Sequence, residues 1–215
     1  MAQDRRRRGA DRSRRANVPL VAFDFDGTLT VRDSFTAFLR WRVGTRRYLA
    51  GLIRLLPAGL RYLVDHDRGR IKARAMREYL TGMTREELEA EARRFADHAA
   101  AGFFRPDALA AWRRWRAEGA RLVIVSASPD AIVAPFAEKL GADALLATRM
   151  AYDADGRVKS AFATPNCRGP EKVVRLKAAF GPEVTLKAAY GDTAGDREML
   201  RMAEIRGYKV FRGKP

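Results

Sequence analysis

An apolar run from Val18 to Phe23 leads straight into the string Asp24-Phe25-Asp26-Gly27-Thr28. An apolar run with no polar alternation predicts a strand buried on both faces, as inside a parallel sheet. Parallel strands need crossover connections, so this one junction commits the chain to an α/β architecture. Two more strands are expected to end in the same way. Arg121 to Val125 ends at Ser126-Ala127-Ser128, and Thr185 to Tyr190 ends at Gly191-Asp192, with Asp196 close behind. Ligands of open α/β sheets bind at the carboxyl ends of the strands, so three segments distant in sequence are expected to meet at one site.

The rest of the chain fits that frame. Helices are expected over 106–118, from Pro129 to Leu140, from Gly169 to Phe180 and from Ala194 to Ala203. Asp143 to Tyr152 and Arg157 to Ala163 flank Asp155-Gly156, a hairpin signal, and a last short strand is expected from Tyr208 to Phe211. Residues 34–104 lack β-branched alternation and are rich in Leu, Ala, Arg and Glu, so they are expected to be helical. The expected fold is a doubly wound, Rossmann-like parallel sheet with an α-helical cap inserted after the first strand. Residues 18–33 and 105–215 are expected to form the catalytic core, 34–104 the cap, and 1–17 a disordered basic arm.

Two carboxylates two residues apart on an extended segment start on the same side of the chain. Asp24 and Asp26 would therefore repel unless a cation lay between them, and Asp192 offers a third oxygen ligand. An all-oxygen set suits Mg²⁺. The plainer reading, a turn-capping aspartate, fits one Asp better than two at one strand end. Other chemistries have less to work with. The single cysteine, Cys167, cannot form an internal disulfide or a cysteine zinc site, and indicates a reducing compartment. His66 and His98 have no metal-ligand companion at helical spacing.

Asp24-Phe25-Asp26-Gly27-Thr28-Leu29-Thr30 resembles the first motif of the haloacid-dehalogenase superfamily. Ser126 matches its second motif, Lys172 its third, and Gly191-Asp192-Thr193-Ala194-Gly195-Asp196 its fourth. The resemblance spans residues 18 to about 211. The helical insertion, and the string Asn166-Cys167-Arg168-Gly169-Pro170-Glu171-Lys172, are similar to the phosphoserine-phosphatase-like branch, subfamily IB. The basic, hydrophobic insertion is also similar in composition to phosphatidylglycerophosphatase-type members.

The resemblance implies a phosphatase that works through an aspartyl-phosphate. Asp24 would be the nucleophile and Asp26 the general acid/base. Mg²⁺ would be held by Asp24, Asp192 and the main-chain carbonyl of Asp26. Ser126, Ala127, Gly27 and Lys172 would bind phosphate, with Asp196 and Thr28 supporting them from behind. An acid at Asp26 separates this chain from the family's dehalogenases, which lack one, and its transport ATPases, which have Thr there. Two departures count against phosphoserine as substrate. Ser126-Ala127-Ser128 replaces Ser-Gly-Gly, and Asp33 stands where the branch has a glutamate for the substrate amine.

The formal net charge is +16. Residues 1–17 hold seven arginines against two aspartates, and residues 35–81 hold eleven Arg/Lys against three acids. Within the insertion Arg40, Arg47, Arg54, Arg61 and Arg68 recur every seven residues, although Pro57 and Gly59 are expected to break the helix that carries them. Residues 48–64 contain two arginines and a proline and make a poor membrane span. A basic stripe beside an apolar face fits an interfacial helix, while the plainer reading packs the leucines onto neighbouring helices.

The expected substrate is a phosphomonoester, with a lipid phosphate at an anionic membrane surface as the finer reading and Asp33, Arg47, Arg54 and Arg61 as its contacts. A small soluble metabolite such as phosphoserine is the alternative. A non-catalytic polyanion-binding module is the alternative from another class, and no nucleic acid is expected. A secretory signal is not expected, because the apolar stretch after the arginines is short and runs into the acidic motif. The expected location is the cytoplasm, peripheral to the inner face of the membrane in the lipid reading.

Overall fold

A computed structural model describes the backbone of residues 18–65 and 68–215 and the side chains of 18–56 and 69–215. The expected arm over 1–17, and the side chains of Arg61 and Arg68, lie outside the described residues. Five parallel strands form the central sheet in the order β3-β2-β1-β6-β7. They are β1 (Leu20–Phe23), β2 (Arg121–Pro129), β3 (Ala144–Thr148), β6 (Leu186–Gly191) and β7 (Ala203–Tyr208). The short strands β4 (Met150–Tyr152) and β5 (Val158–Phe162) pair antiparallel as a separate hairpin.

The central position of β1 follows from its sequence. All four residues are buried. Val21 and Phe23 join one apolar cluster with Leu122 and Ile124 of β2, while Leu20 and Ala22 join another with Val123 and Val125. The alternation feeds two cores, one on each face of the sheet. The first core takes Phe35, Phe38 and Leu39 from α1 (Ser34–Asp65), Tyr79 and Leu80 from α2 (Arg68–Leu80), and Phe95 and Phe103 from α3 (Arg85–Phe103). It also takes Trp112 and Trp115 from α4 (Pro106–Ala117) and Phe136 from α5 (Asp130–Lys139). The second takes Leu176 from α6 (Pro170–Phe180) and Met199 and Leu200 from α7 (Arg197–Arg201).

The helical segment α1–α3 is fastened to the sheet at its base. Val31 N–H donates to Phe103 O at 2.9 Å and Arg105 N–H to Leu29 O at 2.8 Å, so the outgoing and returning chains bridge each other. Phe136 then meets Phe95 and Phe103 at ring-centroid distances of 5.7 and 5.2 Å. Truncating Phe136 to Ala would open a cavity where both layers meet, at a cost of about 3–5 kcal/mol.

Several boundaries differ from the sequence expectation, among them the end of β2, expected at Val125 and found at Pro129. The run 143–152 splits at Arg149, with β3 entering the parallel sheet and β4 starting the hairpin. The expected helix from Ala194 to Ala203 is a 3₁₀ turn (Ala194–Asp196) followed by α7, and Ala203 already belongs to β7. The final strand is β7, Ala203–Tyr208, not Tyr208 to Phe211. As an edge strand it buries only Ala203 and Gly207, so it has no apolar run to recognise. The backbone of α1 stays helical through Pro57 and Gly59 and is interrupted at Gly44, whose φ of 74° is a left-handed value that glycine adopts without steric cost. A proline removes one helical hydrogen bond, which kinks or weakens a long helix without having to end it. Arg40 therefore lies before the interruption, and the seven-residue stripe is not one line.

Candidate active site

The switch point of the sheet lies beside β1, where the connections run to β2 on one side and β6 on the other. At the carboxyl end of β1 the chain makes a tight turn over Phe25–Leu29, with Gly27 at φ 81°. A Cβ on Gly27 would stand 2.2 Å from Asp192 Oδ2, so glycine is required both for the turn and for the approach of β6. At the end of β2 the pairing with β3 jumps from Ser126 to Pro129, and Ala127 and Ser128 bulge out of register. The bulge places Ser128 over the β1 turn.

Lys172, from the first turn of α6, is 1% exposed. Its ammonium donates to Asp24 Oδ1 at 2.6 Å, Asp196 Oδ1 at 2.7 Å and Val125 O at 2.6 Å. Three N–H donors meet three acceptors, the condition for burying an ammonium at tolerable cost. Asp196 is held in turn by Thr193, through its N–H at 2.9 Å and its hydroxyl at 2.9 Å. Thr28 Oγ1 donates to Asp24 Oδ2 at 3.1 Å and lies 3.5 Å from Asp192 Oδ1, between the two carboxylates. The Asp26 carboxylate turns aside and accepts from Ser34 N–H at 2.6 Å and from Ser128 Oγ at 2.5 Å.

The ionisation follows from these surroundings. Burial pushes Asp24 up to about 7 against the pull of Lys172. Burial, together with the Asp33 charge, raises Asp26 to about 6 against its hydrogen bonds from Ser128 and Ser34. Asp192 is raised by burial and by Asp196. Burial also acts upward on Asp196, but Lys172 and the Thr193 bonds outweigh it and hold this carboxyl below the usual range. Lys172 stays protonated, because Asp24 and Asp196 outweigh its desolvation.

Asp24, Asp26, Gly27, Asp33, Ala127 and Asp192 line a cavity of about 280 Å³. Ser126, fully buried, stands behind Ala127 and accepts from Ser128 N–H at 3.0 Å. Lys172 is likewise behind the wall. Asp33 caps α1, accepting from Thr36 N–H and Oγ1, both at 2.8 Å. Arg47 and Arg54 are away from the cavity, paired with Glu78 at 2.6 and 3.0 Å.

Sequence reasoning missed Ser128 as a site residue although it stood in the motif, because the bulge that lifts it is a tertiary effect. It also missed Arg168, which lines the cavity and donates to Thr193 Oγ1 at 3.3 Å. Lys72 of α2 gave no signal among the many cations around it. Its ammonium donates to Ala127 O at 2.9 Å, and the side chain reaches the cavity from the helical segment.

Oxygen ligands from Asp24, Asp192 and Asp196 lie within 4.8 Å of one another. Asp196 is already committed to Lys172 and Thr193. Asp24 and Asp192 have raised affinities for protons and open into a polar cavity, which fits a hard divalent cation.

An open parallel sheet that gathers a carboxylate cluster and a buried lysine at its switch point belongs with Rossmann-like enzymes whose working groups are aspartates. The chain belongs to the haloacid dehalogenase-like hydrolase family, whose model matches residues 21–201. Protein CicA of Caulobacter vibrioides is 57% identical over 196 residues, covering 91% of this chain and 88% of CicA. Among solved structures, a protein of unknown function from Bordetella pertussis Tohama I has a TM-score of 0.69 at 22% identity, covering 86% of each chain. A substrate-bound phosphoserine phosphatase has a TM-score of 0.57 at 21% identity, covering 87% of this chain and 83% of that one. Likenesses at this identity show a shared fold.

Proposed function

We propose that this protein is a Mg²⁺-dependent phosphomonoester hydrolase working through an aspartyl-phosphate on Asp24. The observation that carries the reading is the buried Asp24–Lys172 pair set beside Asp192 and Asp26 at one cavity. Asp24 and Asp192, with the main-chain carbonyl of Asp26, would hold the cation, which neutralises charge on the phosphate when bound. An Asp24 oxygen attacks phosphorus and the ester P–O bond breaks. Asp26 gives its proton to the leaving oxygen, a task suited to a carboxyl raised to about 6. Water then attacks the acyl-phosphate, Asp26 takes the water's proton, and the bond to Asp24 breaks to release phosphate. Lys172 fixes the Asp24 carboxylate, and Asp196 and Thr28 fix Lys172 and the facing carboxylates. N–H groups of the Gly27 turn and the Ala127 bulge would bind phosphate oxygens.

The finer reading is a lipid phosphate met at a membrane surface. It is favoured by an apolar groove of about 520 Å³ between α1 and α2, lined by Leu39, Leu52, Leu55, Leu56 and Ile71. The groove shares Asp33 and Lys72 with the reaction cavity, so a phosphate at Asp24 could carry its chain into it. Among the described residues no helix is long and apolar enough to cross a membrane.

The test is phosphate release from alkyl phosphates of rising chain length, with Mg²⁺ and with excess chelator. Turnover should vanish in chelator. The value of kcat/KM should rise by about fourfold per methylene until the groove is filled, from about 0.8 kcal/mol for each buried CH₂. A flat series would leave a small soluble ester such as phosphoserine as the substrate class. Activity that survives chelation would remove Mg²⁺ from the reading. Independently of activity, Mg²⁺ at a hundred times its Kd should stabilise the fold by about 2.7 kcal/mol.

A further inference from the structure

We propose that the tail after β7, Lys209 to Gly213, is a positioning element for the catalytic turn, with Arg105 carrying its hold to Gly27. The inference rests on the reading of Asp24 and its neighbours given above.

The tail touches the site by three routes. Lys209 is the one non-glycine residue with a positive φ, 54°, among the described residues. Its N–H donates to Gly191 O at 2.9 Å, the last rung of the β6–β7 ladder and directly before Asp192, and the disfavoured φ then turns the following chain out of the strand direction. Phe211 then lays its ring against Tyr190 and Phe23, at centroid distances of 5.0 and 6.4 Å. Phe23 immediately precedes Asp24, and Tyr190 stands two residues before Asp192. Finally, Arg212 and Gly213 donate their N–H groups to Asp107 Oδ2 at 2.7 and 2.8 Å.

Arg105 closes the third route. Its Nη1 donates to Gly213 O at 3.1 Å and its Nε donates to Gly27 O at 3.0 Å. One planar guanidinium thus spans the tail and the turn between Asp26 and Asp192. A guanidinium offers donors in a fixed fork, so a shift of the tail is passed to the Gly27 peptide rather than absorbed. Gly213 is required for the fit, since a Cβ there would stand 2.7 Å from Asp107 Oδ1 and 3.0 Å from its Cγ. That carboxylate is pinned by backbone N–H groups and cannot move aside without releasing the tail.

A tail that merely covers the sheet would affect stability alone. A positioning tail also affects the chemical step, because misplacing reacting groups by about 1 Å costs on the order of 10²-fold in rate. The experiment measures kcat, KM and melting temperature on a small soluble phosphomonoester for Arg105→Ala, Arg105→Lys and Gly213→Ala, with Asp24→Asn alongside. Arg105→Ala should lose roughly 10- to 100-fold in kcat with KM changed by less than about twofold. Added guanidinium ion should restore part of that loss, while Arg105→Lys, which lacks the fork, should stay low. Gly213→Ala should lower kcat in the same direction.

If Arg105→Ala and Gly213→Ala keep the parent kcat while melting earlier, the tail is a cover and the inference fails. If Arg105→Ala does not fold, the kcat of Gly213→Ala decides. If Asp24→Asn turns over like the parent, the site reading fails and takes this inference with it. A dead Asp24→Asn beside an unchanged kcat for Gly213→Ala and Arg105→Ala overturns the inference alone.

Discussion

Asp24 and Asp26 are separated by one residue but are held by different groups, and that difference divides the work proposed for them. Asp24 is clamped by Lys172 and Thr28 and is oriented as a nucleophile. Asp26 accepts instead from a backbone N–H and a hydroxyl, and burial together with the Asp33 charge raises its carboxyl to about 6, within reach of proton exchange near neutral pH. Asp24→Asn should abolish phosphate release, since an amide cannot form the acyl-phosphate. Asp26→Asn should lose roughly 10²–10⁴-fold in rate, the usual reach of general acid/base catalysis. Single-turnover phosphate release measures both, and near-normal release by the Asp24→Asn protein would sink the mechanism. These two residues were legible because each sits at the end of an apolar run that could only be a buried strand. Asp192 was legible for the same reason. Ser128 and Lys72 were not. One depends on a bulge in β2 and the other on the path of α2 across the site, and neither leaves a local pattern.

The elements were easiest to read where burial is two-sided. The apolar runs of β1, β2 and β6 announced a parallel sheet, while β7, at the edge, offered Glu204, Ile205 and Arg206 to solvent and was placed too late in the chain. The docking of the segment after β7 onto Asp107 had no sequence signal, because that contact is made by backbone N–H groups. That hold predicts a pH dependence. Burial acts upward on Asp107, but N–H bonds from Gly213, Arg212 and Ala108 outweigh it and keep its carboxyl below the ordinary value. A depressed folded-state pKa contributes stability that is present above the unfolded value, about 3.9, and is lost as pH falls through the folded value. Asp107→Asn should therefore melt earlier than the parent at neutral pH, and the gap should close below about pH 4. Thermal melts of both proteins between pH 3 and 7 measure it. A gap that persists unchanged at pH 3 would show that the carboxylate charge has no part in docking the tail.

At the scale of the whole molecule, a large share of the excess positive charge and a cluster of exposed apolar side chains fall in the same helical segment. Leu49, Ile53 and Leu56 are 54%, 67% and 60% exposed, and their spacing along α1 puts them on one face. Arg47 and Arg54, expected from the sequence to meet an anionic surface, share Glu78, which offsets one of their two charges and is itself held below the ordinary carboxylate range by them. Their replacement therefore perturbs an intramolecular network as well as any outer contact, and the apolar residues make the cleaner probe. Leu49 and Ile53 line neither the apolar groove nor the reaction cavity. The protein should bind anionic vesicles at low salt, gaining about 1 kcal/mol for each Lys or Arg that reaches the surface, and should release them as salt rises. Leu49→Gln combined with Ile53→Gln should weaken vesicle binding and leave turnover of a small soluble phosphomonoester unchanged. Co-sedimentation with vesicles, run beside the soluble assay, separates the two effects. If the parent ignores anionic vesicles at low salt, the exposed face of α1 has no membrane role. The helical segment then acts as a lid, and the groove between α1 and α2 must receive its substrate from solution.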